Sequence, residues 1–365
     1  MFKEIELKEK GKISRLTNKT FCFDPRISEG FYSANYFLKS SNIVKKVLPN
    51  HIVTMQFFQR KERAFVCGLD ESIALIHTFA KQPKSLLIEA LNDGDQISGL
   101  EPVLKITGKY ENFGFLESLI DGILARRTSV CTNVKEILEV AGNTPVFSMA
   151  DRQDDYLTQI GDGYASYVAG IRKVSTNAQG YYWNGFGMGT MPHALIQVCS
   201  GDLCKAADAY LEVYPESSIS ALVDYNNDVI TDSLKLFKHL GKKLSGVRVD
   251  TSISLCDKYF DNIKNKEGLY GVSAELILAL RKHLDAAGGQ NVQIIVSSSF
   301  SKEKIAEWVK RKVPVDMYGV GTSFVNNMTC GFTGDLVMLD GKPEAKVGRS
   351  HIHSERLVRV PYPIY

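Results

Sequence analysis

The chain lacks any apolar run near the ~18 residues that a membrane-crossing helix needs, so no membrane span is expected. It also lacks an excess of either charge: 44 Lys plus Arg stand against 41 Asp plus Glu, a net of +3. That balance argues against a nucleic-acid binder and is compatible with a basic pocket for a phosphorylated ligand. The opening MFKEIELKEKGK is charged and has no apolar core of the kind a secretory signal carries. Paired cysteines are missing as well. The seven (Cys22, Cys67, Cys131, Cys199, Cys204, Cys256, Cys330) are scattered without a CxxC spacing. This speaks against a disulfide framework or a cysteine-built metal site, and for buried free thiols in a reducing cytoplasm. What remains is ordinary globular composition over 365 residues, 44% hydrophobic and 23% charged, enough for one large core or two moderate ones.

Residues 1–112 read as a small α+β domain in which strands outnumber helices. HIVTMQFFQRK, SLLIEAL and EPVLKITGKY have strand character, and CGLDESIALIHTFA is helix-like. From 113 to 334 the rhythm changes. GFLESLIDGILARRTSV has helical spacing, and then the short apolar stretches PVFSM, SALVDY, GVRVD, VQIIVSS and MYGVG alternate with helical ones such as SAELILALRKHLDAAG and SKEKIAEWVKRK. Repeated strand-then-helix units with near-continuous apolar strands predict a parallel sheet, open or closed into a barrel. Residues 335–365 return to extended patterns. DLVMLDGKPEAKV reads as a hairpin turning at Asp340–Gly341, and these strands are expected to rejoin the first domain.

In parallel α/β folds ligands bind where strands end, so the residues after each apolar run carry the chemistry. Asp151 and Arg152 follow PVFSM; Asp224 and Tyr225 follow SALV. Asp250 follows GVRV, with Arg248 two residues earlier and on the same strand face. That pair is either a structural ion pair or a site in which the arginine grips a planar carboxylate. Ser297, Ser298 and Ser299 follow VQIIV; Gly319, Gly321, Thr322 and Ser323 belong to GVGTS. Small residues and hydroxyls at strand ends suit a phosphate, held by backbone N–H groups and side-chain donors. In GMGTMPHALIQ, His193 has two readings. It is a helix-start residue beside a turn, or an imidazole brought to a ligand by a glycine-rich loop, able to act as base, proton donor or phosphoryl acceptor.

The segments QIGDGYASYVAG, VSTNAQGYYWNGFGMGTMPHALIQ, LVDYNND, GVRVDTS, VPVDMYGVGTSF and GKPEAKVGR, in that order, resemble the nicotinate phosphoribosyltransferases, a group of type II phosphoribosyltransferases. NYFLKS and EPVLKITGKY fit that family's first domain. The resemblance implies an irregular or incomplete, TIM-like α/β barrel packed with a smaller, β-rich α+β domain. It implies transfer of phosphoribosyl from phosphoribosyl pyrophosphate to nicotinate, giving nicotinate mononucleotide and pyrophosphate with ATP hydrolysis, in NAD salvage. Mg²⁺ as cofactor, ATP as co-substrate, a cytoplasmic location and a homodimer or larger homo-oligomer with shared active sites come with it. Carried over residue by residue, His193 would accept a phosphoryl group from ATP and act with Asp250 and Arg248. Phe147 would stack on the pyridine ring, with Tyr36 supplied by the neighbouring subunit, and Arg152 and Arg248 would hold nicotinate. Thr190, Ser297, Ser298, Ser299, Gly319, Gly321, Thr322 and Ser323 would bind phosphate.

This chain departs from the family at several of these places. Ser297–Ser299 stand where Ser-Gly-Gly is usual, Lys39 where Arg is common, and Arg172 and Lys173 where a small or acidic pair is usual; Arg152 sits in a changed context. Two other readings therefore stay open. One is the same transfer to nicotinamide or quinolinate, with Arg172 or Lys173 meeting quinolinate's second carboxylate. The other is a non-catalytic binder of phosphoribosyl ligands.

Overall fold

A computed structural model describes residues 20–189 and 191–362, and before them only the backbone of Leu7–Lys8 and Lys12–Ile13, which pair antiparallel. Two six-stranded sheets organise the rest. In the antiparallel one the spatial order is Lys342–Pro343, Thr333–Leu339, Ile52–Phe58, Leu104–Lys109, Leu87–Ala90 and Val358–Val360. The chain's last strands thus pair with its early ones, the hairpin turning at Asp340–Gly341 with φ of 48° and 76°. Strand Ile52–Phe58 is buried from its second residue to its last, because helices Leu69–Phe79 and Glu117–Ala141 lie against the sheet. Met55, Phe57, Ile88, Leu104 and Ile106 form its core with Leu75, Ile120 and Leu124 from those helices.

The second sheet is parallel throughout. Its strands are β1 (Val146–Ser148), β2 (Lys173–Val174), β3 (Ile219–Leu222), β4 (Leu244–Val249), β5 (Gln293–Val296) and β6 (Met317–Val320). They are arranged β3-β4-β5-β6-β1-β2. This is chain order taken cyclically, with β1 paired to β6 and, among the described residues, no pairing between β2 and β3. The sheet is therefore curled like half a barrel and left open at one seam. Helices cover its outer face. Among them are Ala274–Ala286, whose N-cap Ser273 accepts from Leu276 N–H, and Lys302–Lys310, capped likewise by Ser301. The strands are buried on both sides, which is why they read as continuous apolar runs; Val247, Val249, Ile294 and Val296 are essentially inaccessible. Each such side chain contributes roughly 1.5–3 kcal/mol of burial.

The described cysteines are free thiols; Cys67, Cys131, Cys199 and Cys330 are buried and Cys22 is exposed. Among the described residues no helix is long and apolar enough to cross a membrane.

Candidate active site

A cavity of about 520 Å³ opens at the carboxyl ends of β1, β4, β5 and β6. Each neighbouring strand delivers one part of its wall. Phe147 lies within β1 and Met149, Asp151, Arg152 and Gln153 follow it. Arg248 comes from β4 with Asp250 just beyond, Ser297–Phe300 follow β5, and Gly319, Gly321, Thr322 and Ser323 belong to or follow β6. Since Gly319 pairs with Phe147 across the sheet, the aromatic and the small-residue loop are direct neighbours. Packing requires the glycine at 321 and favours the one at 319. A Cβ on Gly319 would lie 2.6 Å from Met149 Sδ, and one on Gly321 would lie 2.8 Å from Met149 carbonyl oxygen.

Arg248 and Asp250 share the cavity as their spacing predicts, in a loose pair with Nη2 3.9 Å from Oδ2. Burial depresses the Arg248 pKa from its ordinary value, while Asp250 and Asp224 pull it back up and Arg152 opposes them. Two guanidinium groups therefore face one confined volume. Ser297 Oγ donates to Asp250 Oδ1 at 2.8 Å, and Ser323 Oγ donates to Phe300 carbonyl oxygen at 2.8 Å, so both hydroxyl protons are already committed. Among the described residues the hydroxyls of Ser298, Ser299 and Thr322 have no protein partner. Ser298 and Ser299 also hold left-handed backbone, with φ of 75° and 57°.

His193 is the first residue of helix His193–Val198, with Pro192 in the N-cap position rather than inside the first turn. The imidazole does not line the cavity, though Gly189 and Pro192 beside it do. Its Nε2 is 3.1 Å from Oδ1 of Asp224, which follows β3, and the side chain is 43% exposed. Burial raises the Asp224 pKa, and His193 offsets this by favouring the carboxylate. The arrangement engages Nε2 and leaves Nδ1 without a protein partner among the described residues. The pairing joins loops 31 residues apart. The only signal in the sequence is that Asp224 ends an apolar run.

Tyr36 lies on the helix Asn35–Val47, 64% exposed and outside the cavity of its own chain. Thr190 lies outside the described residues. Arg172 is engaged elsewhere. Its Nη1 donates to the carbonyls of Tyr167 and Ile171 at 2.8 Å each, and its guanidinium sits 4.0 Å from the Tyr167 ring centre. Neither it nor Lys173 lines the cavity. Gln153 and Ser175 do, and sequence reasoning missed both. Ser175 Oγ lies 3.0 Å from both Asp151 Oδ1 and Gln179 Oε1, which share its one hydroxyl proton.

Strand ends rich in small residues, two arginines and an aromatic wall form a cavity whose chemistry suits a small, flat, anionic molecule beside a phosphorylated one. Residues 36–128 match the N-terminal domain of quinolinate phosphoribosyl transferases. A nicotinate phosphoribosyltransferase of Mycobacterium tuberculosis is 26% identical over 267 residues, 71% of this chain and 55% of that protein. The nicotinate-nucleotide pyrophosphorylase of Pyrococcus furiosus superposes with a TM-score of 0.77 at 27% identity, over 90% of this chain and 80% of that one. Human nicotinic acid phosphoribosyltransferase shares the fold, with a TM-score of 0.67 at 16% identity over 87% and 77% of the two chains. The chain is similar to quinolinate and nicotinate phosphoribosyltransferases in sequence and in fold. It spans about half the length of the curated relatives it matches.

Proposed function

We propose that the protein is a nicotinate phosphoribosyltransferase acting in NAD salvage in the cytoplasm. The observation that carries this reading is the joint presence, in one cavity, of Phe147, the guanidinium groups of Arg152 and Arg248, and the Ser298–Ser299 and Gly321–Thr322 donors. Phe147 gives the pyridine ring a flat apolar wall, and an arginine takes its carboxylate, which fixes the ring nitrogen in space. The serine and threonine hydroxyls and the loop N–H groups anchor the 5′-phosphate. Holding both ends of the pair leaves the ribose C1 between them, so attack and departure proceed in line with little orientational entropy left to lose. Positive charge develops on the ribose as pyrophosphate leaves, and the Asp250 carboxylate stands where it opposes that charge.

The carboxylate oxygens of Asp151 and Asp250 suit Mg²⁺, a hard cation bound mostly through its substrate's phosphates. The described residues contain no cluster of His, Cys, Asp or Glu that forms a metal cage by itself. The ion would neutralise the departing pyrophosphate. ATP coupling would run through Nδ1 of His193, held by Asp224. The TIM-like half-barrel would work in a homodimer or larger assembly, with Tyr36 of one subunit stacking on the pyridine bound by another.

Two arginines also suit a dicarboxylate, so the test takes three bases. Purified protein is incubated with phosphoribosyl pyrophosphate, Mg²⁺ and nicotinate, nicotinamide or quinolinate, with and without ATP, and mononucleotide and pyrophosphate are followed. Nicotinate is expected to be the preferred base. His193→Ala is expected to abolish ATP hydrolysis while a slow uncoupled transfer persists. Absence of product with every base would sink the enzymatic reading, and ATP hydrolysis surviving in His193→Ala would sink the role given to that imidazole.

A further inference from the structure

The helix Glu117–Ala141 contributes no residue to the cavity wall, yet its side chains hold two of the loops that form it. Arg126, Ser129 and Asn133 are spaced so that they share one helix face. The Arg126 guanidinium forks onto the buried Asp162, with Nε 3.0 Å from Oδ1 and Nη2 2.7 Å from Oδ2. The same Nη2 is 2.7 Å from Oδ2 of the exposed Asp154. Asp154 directly follows Arg152 and Gln153, both of which face the cavity. Two turns further along the helix, Asn133 Nδ2 donates to the carbonyls of Phe324 and Asn327 at 3.1 and 2.9 Å. Ser129 Oγ accepts from the Cys330 N–H at 3.0 Å. These three bonds secure the segment that continues from Gly321, Thr322 and Ser323.

We infer that this helix face is the positioning element of the site. Arg126, acting through Asp154, sets the loop that presents Arg152 to the pyridine carboxylate; Asn133 and Ser129 set the loop that presents Thr322 to the phosphate. The identity of the two ligands rests on the reading given above, whereas the tethers do not. Residues 152, 154, 155, 156 and 157 are exposed, so few packing contacts order this loop without its ion pair. An untethered loop must be ordered each time ligand binds, a cost that appears in ground-state affinity and leaves the chemical step nearly untouched. Arg126 Nη1 also reaches Met328 Sδ in the second loop at 3.8 Å, so the two loops are separated at Asp154 and at Asn133, and a cut at either of these should affect one ligand.

Arg126→Ala is a poor probe, because it strands the Asp162 carboxylate with Arg127, 3.7 Å away, as its remaining cation. Asp154→Ala cuts the tether at its exposed end and keeps the fork. It is expected to raise KM for nicotinate roughly five- to twentyfold, with kcat and KM for phosphoribosyl pyrophosphate within about twofold of wild type. Asp154→Glu, which keeps the carboxylate, should recover most of the loss. Asn133→Ala should give the mirror result, with the KM for phosphoribosyl pyrophosphate rising and that for nicotinate holding. Amide hydrogen exchange on the same proteins should show faster exchange confined to 151–158 in Asp154→Ala and to 322–330 in Asn133→Ala. Equal rises in both KM values, no change in either, or unchanged exchange in both segments would overturn the inference. A wild-type protein that turns over no pyridine would defeat the functional reading alone, and the exchange data would still decide the tethers.

Discussion

Ser298 and Ser299 occupy consecutive left-handed positions at the cavity rim, a conformation that costs an ordinary side chain roughly 1–2 kcal/mol and glycine almost nothing. Their hydroxyls lack hydrogen-bond partners among the described residues, and a ligand phosphate is the partner proposed for them. Ser298→Gly is accordingly expected to raise Tm by about 1–3 °C and to weaken binding of ribose 5-phosphate by roughly two- to tenfold, the worth of one hydrogen bond. Scanning calorimetry and titration calorimetry check the two halves. A variant that melts lower, or binds as tightly as the parent, would remove the ligand-reading role. At this scale the sequence was partly legible. Strand-end spacing brought Arg248, Asp250, Ser297–Ser299 and Gly321–Ser323 to one place because period-two alternation fixes which side chains face inward. It did not show that Ser297 and Ser323 spend their protons on Asp250 and Phe300, since such bonds depend on how separate loops meet.

Among the elements, strands buried on both faces were the most legible, and Lys173–Val174, only two residues long, offered no pattern to read. The helix Glu117–Ala141 shows where local rules yield to packing. A carboxylate in a first turn is normally favoured by the helix dipole. Here burial, aided by repulsion from Asp121 and Asp335, pushes the Glu117 pKa up to about 8, and burial pushes Asp121 up to about 6. A folded-state pKa above the unfolded value of ~4.3 for Glu means that the stabilising contribution is complete below pH ~4.3 and is lost as pH rises through about 8. Glu117→Gln should therefore leave Tm nearly unchanged near pH 4 and raise it near pH 8 by roughly 2–4 °C for each kcal/mol recovered. Melting curves across that range supply the measurement; a Tm difference between variant and parent that does not grow with pH would contradict the assignment.

For the whole molecule, the antiparallel sheet and the half-barrel each have their own core, and the cavity belongs to the second. Tyr36 lies outside its own chain's cavity, on a helix that also exposes Ile43 and Val47. If subunits share sites as proposed, Tyr36→Ala and Arg248→Ala should each be nearly inactive alone. Mixed and allowed to exchange, they should recover about a quarter of wild-type activity, because half the random dimers would contain one intact site of two. No recovery on mixing, with exchange of subunits verified, would place Tyr36 outside the site.

The open seam between β2 and β3 bears on how the half-barrel is held together. The chain crossing it touches the edge of β2 through one bridge, Val174 with Gly187, and one bond from Met188 N–H to the Val174 carbonyl oxygen at 2.7 Å. A closed barrel would have a full ladder there, and lifting any part of the wall would break it. Here the stretch that leads to His193 is held instead by that latch, by the Gly187 N–H donating to Asn177 Oδ1 at 2.8 Å and by the buried Met191, while β3–β6 and β1 carry their own ladder. The seam and the paired strands are thus joined by different means, and a substitution at the seam leaves the ladder of the half-barrel in place.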